Sequence, residues 1–409
     1  MTELFFELIR VALGKQKCLS RNPSAKEWKR LFKMAERQRL LGICFYGVKK
    51  VASPKYDNEA YPHPLPEGKG ENKISIPGDL YDYWLGTAAL IQQQNHRMNK
   101  YTEETVKLFR ENGFPCCVMK GQSVARLYNE GRRTKDERPK ESNSLGMFRQ
   151  SGDIDIWVAS GREKLCEFSM QRFGRVDGMT YHDVHIPLWK DTEVEAHFKP
   201  GNMFNPFHDK KLQKFFKQYE PTMDSSIDAP AEFNVIYILQ HCFKHFLERG
   251  IGMRQVMDYY FVLQSRRPTP TPSLYSEGNL ETTLRECGLL KFARAMMWVL
   301  QHVFEENNVD EERRTKNEDT KDNWRERYPW MIVEPLESEG RFILHEVMQG
   351  GNFGKFDKRI KKGGKRSKLQ AVSAVLQHNL HLLKHYPSDV IWAPIWIVYH
   401  YIWKRTVGR

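Results

Sequence analysis

Gly152-Asp153-Ile154-Asp155-Ile156-Trp157-Val158 alternates polar and apolar residues, the period of a half-buried strand. On such a strand, residues two apart share a face. Asp153 and Asp155 therefore present two carboxylates together, while Ile154 and Ile156 turn toward a core. Like charges that close repel unless a cation neutralises them or one group takes a proton. An acidic pair backed by aliphatics is a platform for a hard divalent cation such as Mg²⁺, which is held by one or two carboxylates plus substrate phosphates.

Two further stretches extend this platform. In Glu193-Val194-Glu195-Ala196-His197 the same period places Glu193, Glu195 and His197 on one face, and either glutamate supplies a third acid. Three carboxylates can hold two cations, the arrangement that stabilises both oxygens of an in-line phosphoryl displacement. Upstream, Cys116 to Met119 reads as a short apolar strand that enters a helix through Lys120-Gly121-Gln122-Ser123. Free backbone N–H groups at a helix start attract anions. Lys120 adds a charge and Ser123 a hydroxyl, so Lys120, Gly121 and Ser123 are candidate phosphate contacts.

Around these strands the chain reads as helical. Leu4, Phe5, Leu8, Ile9 and Ala12 recur at helical spacing, and a second helix covers about 25–40. Residues 52–78, rich in proline and glycine, read as a long loop. One amphipathic helix is predicted over 79–112, ended by Gly113. Residues 130–150 read as a polar insertion. Strands are predicted near 174–180, 181–188 and 193–198, with a helix over 162–171 between them and the Asp-x-Asp strand. Beyond about Pro206 helices dominate, at 231–248, 253–263, 280–304, 338–348 and 369–384, with Pro268, Pro270 and Pro272 as a stiff connector. The expected fold class is α+β: a small mixed-sheet core over 112–205, flanked by an N-terminal helical region, 1–111, and a C-terminal helical region, 206–409.

The chain of 409 residues carries a formal net charge of +13. That balance suits acidic partners, among them nucleotides, nucleic acid and a membrane surface, without choosing among them; nucleic acid is not favoured. Seven cysteines, an odd number without CxxC spacing, suggest neither a disulfide framework nor a structural zinc site. Reduced thiols in a cytoplasmic protein are the simple reading. The N-terminus lacks the basic start of a signal peptide. No stretch reaches the length needed to span a bilayer; Ile391 to Trp403 comes nearest and reads as a buried C-terminal segment, with a membrane-interface helix as its alternative.

The order of strand, glycine turn, helix, Asp-x-Asp strand and a later acidic strand resembles the polymerase-β-type nucleotidyltransferase superfamily. More narrowly, Met119-Lys120-Gly121, Arg149-Gln150-Ser151-Gly152-Asp153-Ile154-Asp155 and Glu195-Ala196-His197 look like a group of uncharacterised nucleotidyltransferases common in bacteria. Lys244-His245 and Arg254 to Asp258 are similar to motifs in that group's helical portion, and the resemblance covers roughly 80–265. It implies transfer of a nucleotidyl group from an NTP to a hydroxyl or phosphate of an acceptor it does not identify, with Mg²⁺, two ions being admissible. It further implies Asp153 and Asp155 as metal ligands, with Glu195 as the third catalytic and metal-binding acid, preferred over Glu193 because it stands two before His197. Arg149, Lys244 and Arg254 become candidate substrate contacts. The chain departs from the superfamily in placing Gly121 32 residues before Asp153 and in reading Gly-Gln-Ser for adjacent Gly-Ser.

Other features have simpler readings. His241 and His245 lie four apart, a metal-compatible spacing, but Cys242, Phe243 and Lys244 between them supply no zincin-type glutamate. Arg254 and Asp258, also four apart, suit an internal ion pair. His182 and His185 read as structural residues of a strand. The run Lys355 to Lys368 holds eight basic residues and one acid; it reads as a solvated loop, or as a grip for nucleic acid or anionic lipid. Two other functions fit the same residues: an inert nucleotide- or nucleic-acid-binding module of this fold, and a metal-dependent phosphohydrolase.

Overall fold

The computed structural model describes residues 1–56, 74–128, 144–265, 277–305, 324–356 and 380–407. The basic run from residue 357 on, the proline connector, residues 57–73 of the expected loop, 130–143 of the expected insertion and most of the expected helix 369–384 lie outside the described residues. The chain divides into two compact units, and neither is one continuous stretch. The first gathers Met1–His96, Arg138–Gln150 and Leu300–Asp322; the second gathers Arg97–Glu137, Ser151–Val299 and Asn323–Arg409.

The first unit begins with three helices: α1 (Thr2–Leu13), α2 (Ala25–Arg37) and α3 (Leu41–Val51). Ser24 starts α2 with a reciprocal cap: its hydroxyl accepts from the Glu27 N–H while the Glu27 carboxylate accepts from the Ser24 N–H. α1 packs directly on α3 because Gly47 has no side chain there: a Cβ would lie 2.6 Å from the Leu8 carbonyl oxygen. Arg10, buried on α1, donates to the carbonyls of Val303 (3.1 Å) and His302 (2.8 Å). The ends of the expected loop 52–78 are strands, β1 (Ala52–Lys55) and β2 (Ile74–Pro77), paired in parallel. Ile74-Ser75-Ile76 has strand alternation, and a two-stranded sheet is all edge, where proline costs no ladder bond.

The helix α4 (Gly78–Glu111) runs through the boundary between the units. After it come β3 (Cys116–Val118), α5 (Gln122–Leu127), β4 (Ile154–Val158), α6 (Arg162–Phe173), β5 (Gly178–Met179), β6 (Asp183–Ile186) and β7 (Val194–His197). The five strands form one mixed sheet in the order β3-β4-β7-β6-β5, in which only the β4–β7 pair is parallel. One face is apolar: Cys116, Val118, Ile154, Ile156, Val158, Val184, Ile186, Val194 and Ala196 pack with Val106 and Phe109 of α4 and Leu165 and Phe168 of α6. The alternate residues form the other face. There Trp157 of β4 stacks on Phe233 at the start of α8 (Ala231–Glu248), 4.9 Å between ring centres. This is the α+β architecture expected from the sequence.

α7 (Pro206–Lys217) and α9 (Met253–Gln264) flank α8 in the chain. The single helix expected over 280–304 is two, α10 (Glu277–Glu286) and α11 (Leu290–Phe304). Gly288 breaks them: it takes a left-handed φ of +70°, which glycine adopts without steric cost. A second correction concerns the C-terminal segment expected to be buried. It forms the helix Ala393–Thr406, and Ile395, Val398 and Ile402 on it are exposed. No helix among the described residues is long and apolar enough to cross a membrane.

Ile156 sits fully buried on the interior strand β4. Ile156→Ala is expected to cost about 2–5 kcal/mol and Ile156→Val about 0.5–1.5 kcal/mol, read as a fall in the denaturant midpoint at unchanged slope.

Candidate active site

The site is built on the second unit alone. Because β4 and β7 are parallel, Asp155 stands opposite Glu195 and Trp157 opposite His197. Neighbouring strands lie about 4.8 Å apart, so Asp155 and Glu195 project side by side from one face. The ladder that fixes this register includes the Ile154 N–H donating to the Glu193 carbonyl (2.9 Å). A slip of one residue would turn both acids into the core.

Two cations hold the acids together. The Lys120 ammonium lies 2.8 Å from Asp155 Oδ1. His197 Nε2 lies 3.1 Å from the same oxygen and 3.3 Å from Glu195 Oε2. Burial opposes charge on both cations, yet the surrounding carboxylates win. Asp155, Tyr237, Glu195 and Asp153 hold Lys120 well above its ordinary range, and hydrogen bonds to Asp155 and Glu195 lift His197 to about 9. Burial likewise opposes charge on Glu195, but His197 and Lys120 bring it down to about 2. The cluster thus sets two acidic side chains, Asp155 and Glu195, against two basic ones, Lys120 and His197.

Lys120 reaches Asp155 through the turn after β3. The Met119 N–H donates to the Asp155 carbonyl (3.2 Å), which carries the turn alongside β4. Gly121 follows with φ +61° and ψ −110°, a conformation closed to residues with a side chain. Ser123 is buried in the first turn of α5, and its N–H is taken by the Lys120 carbonyl at 3.3 Å. Asp153 precedes the first residue of β4 and is exposed. Its charge acts on Lys120 and Glu195, but the groups of ligand atoms close enough to share one ion are Asp155–Glu195–His197, His182–Asp183–His197 and His185–Glu193–Glu195. Glu193 is turned outward and pairs with His185 Nδ1 at 2.5 Å.

Three sequence candidates remain. Lys244 on α8 donates to Asn202 Oδ1 (2.6 Å), and its charge helps lower His182. Arg254 stands half-buried in the first turn of α9. Arg149 belongs to the first unit, where it is buried and its carbonyl accepts from the Asn95 amide (2.7 Å).

The geometry adds residues that the sequence does not single out. Antiparallel pairing of β6 with β7 sets Asp183 opposite His197 and His185 opposite Glu195. Asp183 Oδ1 lies 3.1 Å from His185 Nε2, and Asp183 Oδ2 lies 3.3 Å from His182 Nε2. The hydrogen bond to Asp183 lifts His185 to about 9, while burial drives His182 well below its usual value. The Asp183-x-His185 alternation is the signal for this network, and it becomes legible once the β6–β7 hairpin is known. Above the acids, α8 contributes Tyr237, whose buried hydroxyl has no hydrogen-bond partner among the described residues. Burial raises its pKa, with Lys120 opposing and Asp155 adding to the rise. His241, one turn on, is kept neutral by burial and by the charge of Lys120.

This arrangement fits a divalent cation. Two adjacent carboxylates, Asp155 buried and Glu195 partly so, already recruit two positive charges from the chain, and hard oxygen donors are the ones such ions take. It also sets a pH dependence. His185 and His197 are raised from 6.5 to about 9 on folding, so their stabilisation is complete below about pH 6.5 and is lost as pH rises through about 9. In metal-free solution the denaturant midpoint is expected to fall across that interval, and the slope to flatten in the His185→Gln, His197→Gln double variant.

A family model described as "uncharacterised nucleotidyltransferase" matches residues 24–136 and 145–305. Comparison with curated proteins and with solved structures gives no match. The matched stretches take in Lys120, Asp155, Glu195, His197 and Tyr237, and they cover most of the chain. By that match, the chain belongs to this family of uncharacterised nucleotidyltransferases.

Proposed function

We propose that the protein is a Mg²⁺-dependent enzyme that moves a nucleoside monophosphate from an NTP to a hydroxyl or phosphate of its acceptor, releasing pyrophosphate. The observation that carries this reading is the in-register pairing of Asp155 with Glu195 on the parallel strands, compensated by Lys120 and His197. Asp153, Asp155 and Glu195 would hold the ion, or two ions. Bound there, Mg²⁺ supplies positive charge to the phosphate oxygens and to the departing pyrophosphate.

The chain's own groups have separable tasks. Lys120, beside Asp155 in the site, would meet a phosphate oxygen of the NTP. Gly121 supplies the left-handed φ of +61° that carries the turn along β4. Glu195, with its low pKa, is an anion throughout the neutral range. It is a strong ligand and a weak base, so it takes the acceptor proton only as the new oxygen–phosphorus bond forms and the bond to pyrophosphate breaks. His197 orients both Asp155 and Glu195. Ser123, being buried, would steady the turn; Lys244 and Arg254 are proposed as contacts to the nucleotide or the acceptor. The Tyr237 hydroxyl is a further polar group available to a substrate.

The test is to incubate the protein with each of the four NTPs and Mg²⁺ and to follow pyrophosphate and nucleotide binding together. Asp155→Asn and Glu195→Gln are expected to lower turnover by at least about 100-fold while the protein stays folded. Asp153→Ala combined with Asp155→Ala should abolish metal-dependent NTP binding. Orthophosphate as the product would make the protein a phosphohydrolase. A folded wild type that binds no NTP would overturn the enzyme reading in favour of an inert module.

Lys120→Ala separates the two tasks of that residue. Weaker NTP binding with Mg²⁺ present is expected, together with a lower stability of the metal-free protein, since Asp155 then loses a buried partner. Isothermal titration and denaturant melts read the two effects independently.

A further inference from the structure

The helix Ala393–Thr406 and the residues leading into it present a face that nothing among the described residues covers. Ile391, Ile395, Val398 and Ile402 are 64%, 59%, 58% and 54% exposed. Their spacing of four, three and four residues places them in one row along a helix. Tyr399 and Tyr401, both exposed, flank the row on its two sides. Phe207, at 72% exposure, extends the patch from α7, where it meets Trp392 edge-on.

The opposite face of the helix is fixed to the second unit. Ala393 is buried. Trp396 meets Tyr181 at a right angle, 4.7 Å between ring centres, and the Lys199 ammonium donates to the Tyr181 hydroxyl (3.1 Å). Arg162 of α6 lies over Trp403. The helix is therefore a docked element with its inner face satisfied. Leaving four aliphatic side chains in water costs about 1.5 kcal/mol or more for each that could be buried. Contiguous exposed apolar surface of this kind marks an interaction site.

The chemistry around the row identifies its occupant. From Ile391 to Arg409 the sequence contains no acid and carries Lys404, Arg405 and Arg409. Arg405 is exposed beside the row and lies over the Tyr401 ring. Aliphatic side chains flanked by aromatic rings that tolerate both water and lipid, with the Arg405 guanidinium beside them, match the interfacial zone of a bilayer. The chain's net charge of +13 adds attraction to an anionic surface. We propose that this helix seats the protein on a membrane surface carrying anionic headgroups, lying in the interface without crossing it.

The experiment is vesicle flotation of the full chain with phosphatidylcholine vesicles, with and without added phosphatidylglycerol. The wild type is expected to float with the anionic vesicles, less with the neutral ones, and less at high salt. Ile395→Glu with Ile402→Glu is expected to lower partitioning at least about tenfold. Both side chains are exposed, so its circular dichroism and melting midpoint should match the wild type. Brominated lipid should quench tryptophan emission in the wild type and not in the variant. Wild-type protein that stays at the bottom with anionic vesicles overturns the proposal, as does equal flotation with neutral ones. A concentration-dependent dimer that the same substitutions dissolve would also overturn it, making the row a contact between two copies of this chain.

Discussion

Repulsion between Asp155 and Glu195 is the constraint around which the second unit is organised. Parallel pairing of β4 with β7 forces the two carboxylates together on a buried face, and a buried anion without compensation is costly. Each element nearby answers that cost. The turn after β3 brings Lys120, β7 brings His197 two residues after the acid, and β6 brings Asp183 and His185 to hold the next layer of charge. The result is a charge-compensated cluster in which the acids of two parallel strands are held by cations from a turn and from their own sheet.

The same sheet explains why the cluster is rigid. Its apolar face is sealed by the second half of α4 and by α6, so β4 and β7 cannot shift register without exposing a core. On the polar face, Trp157 against Phe233 secures the start of α8, and one turn later α8 offers Tyr237 to the acids. Fold and site thus share residues in strict alternation along each strand.

Much of this was legible in the sequence, for physical reasons that can be named. Strand alternation is local, so Ile154 to Val158 and Val194 to His197 could be read directly, and with them Asp155 and Glu195. The helices of the C-terminal half were legible wherever apolar spacing was uninterrupted. Gly288 escaped because a single glycine within a helical pattern stops the helix only when its φ turns positive. The strands of residues 52–55 and 74–77 escaped because proline and glycine between them outweighed a short alternation. Of the site, the bridging role of His197 and the network of His182, Asp183 and His185 depend on which strands pair, and that is a long-range property. Tyr237 carries no mark in the sequence, because a buried tyrosine on a helix looks like any core residue; its hydroxyl, unpartnered among the described residues, is what distinguishes it. The exposed row on the last helix was hidden for the converse reason, since an apolar run carries no mark of which side meets solvent.

The first unit carries a consequence for how the chain is made. Arg10 is buried near the N-terminus, and its guanidinium is satisfied by the carbonyls of His302 and Val303, residues 292 and 293 positions later. During vectorial synthesis, α1 emerges from the ribosome long before its acceptors exist. Until residue 303 has left the exit tunnel, that end of the nascent chain must keep its arginine in water and its apolar stripe provisional. Completion of the first unit is therefore a late event that waits for residues 97–137 and 151–299 of the second unit to be translated, and a pause or truncation upstream of residue 300 leaves an exposed helix of the kind that chaperones recognise.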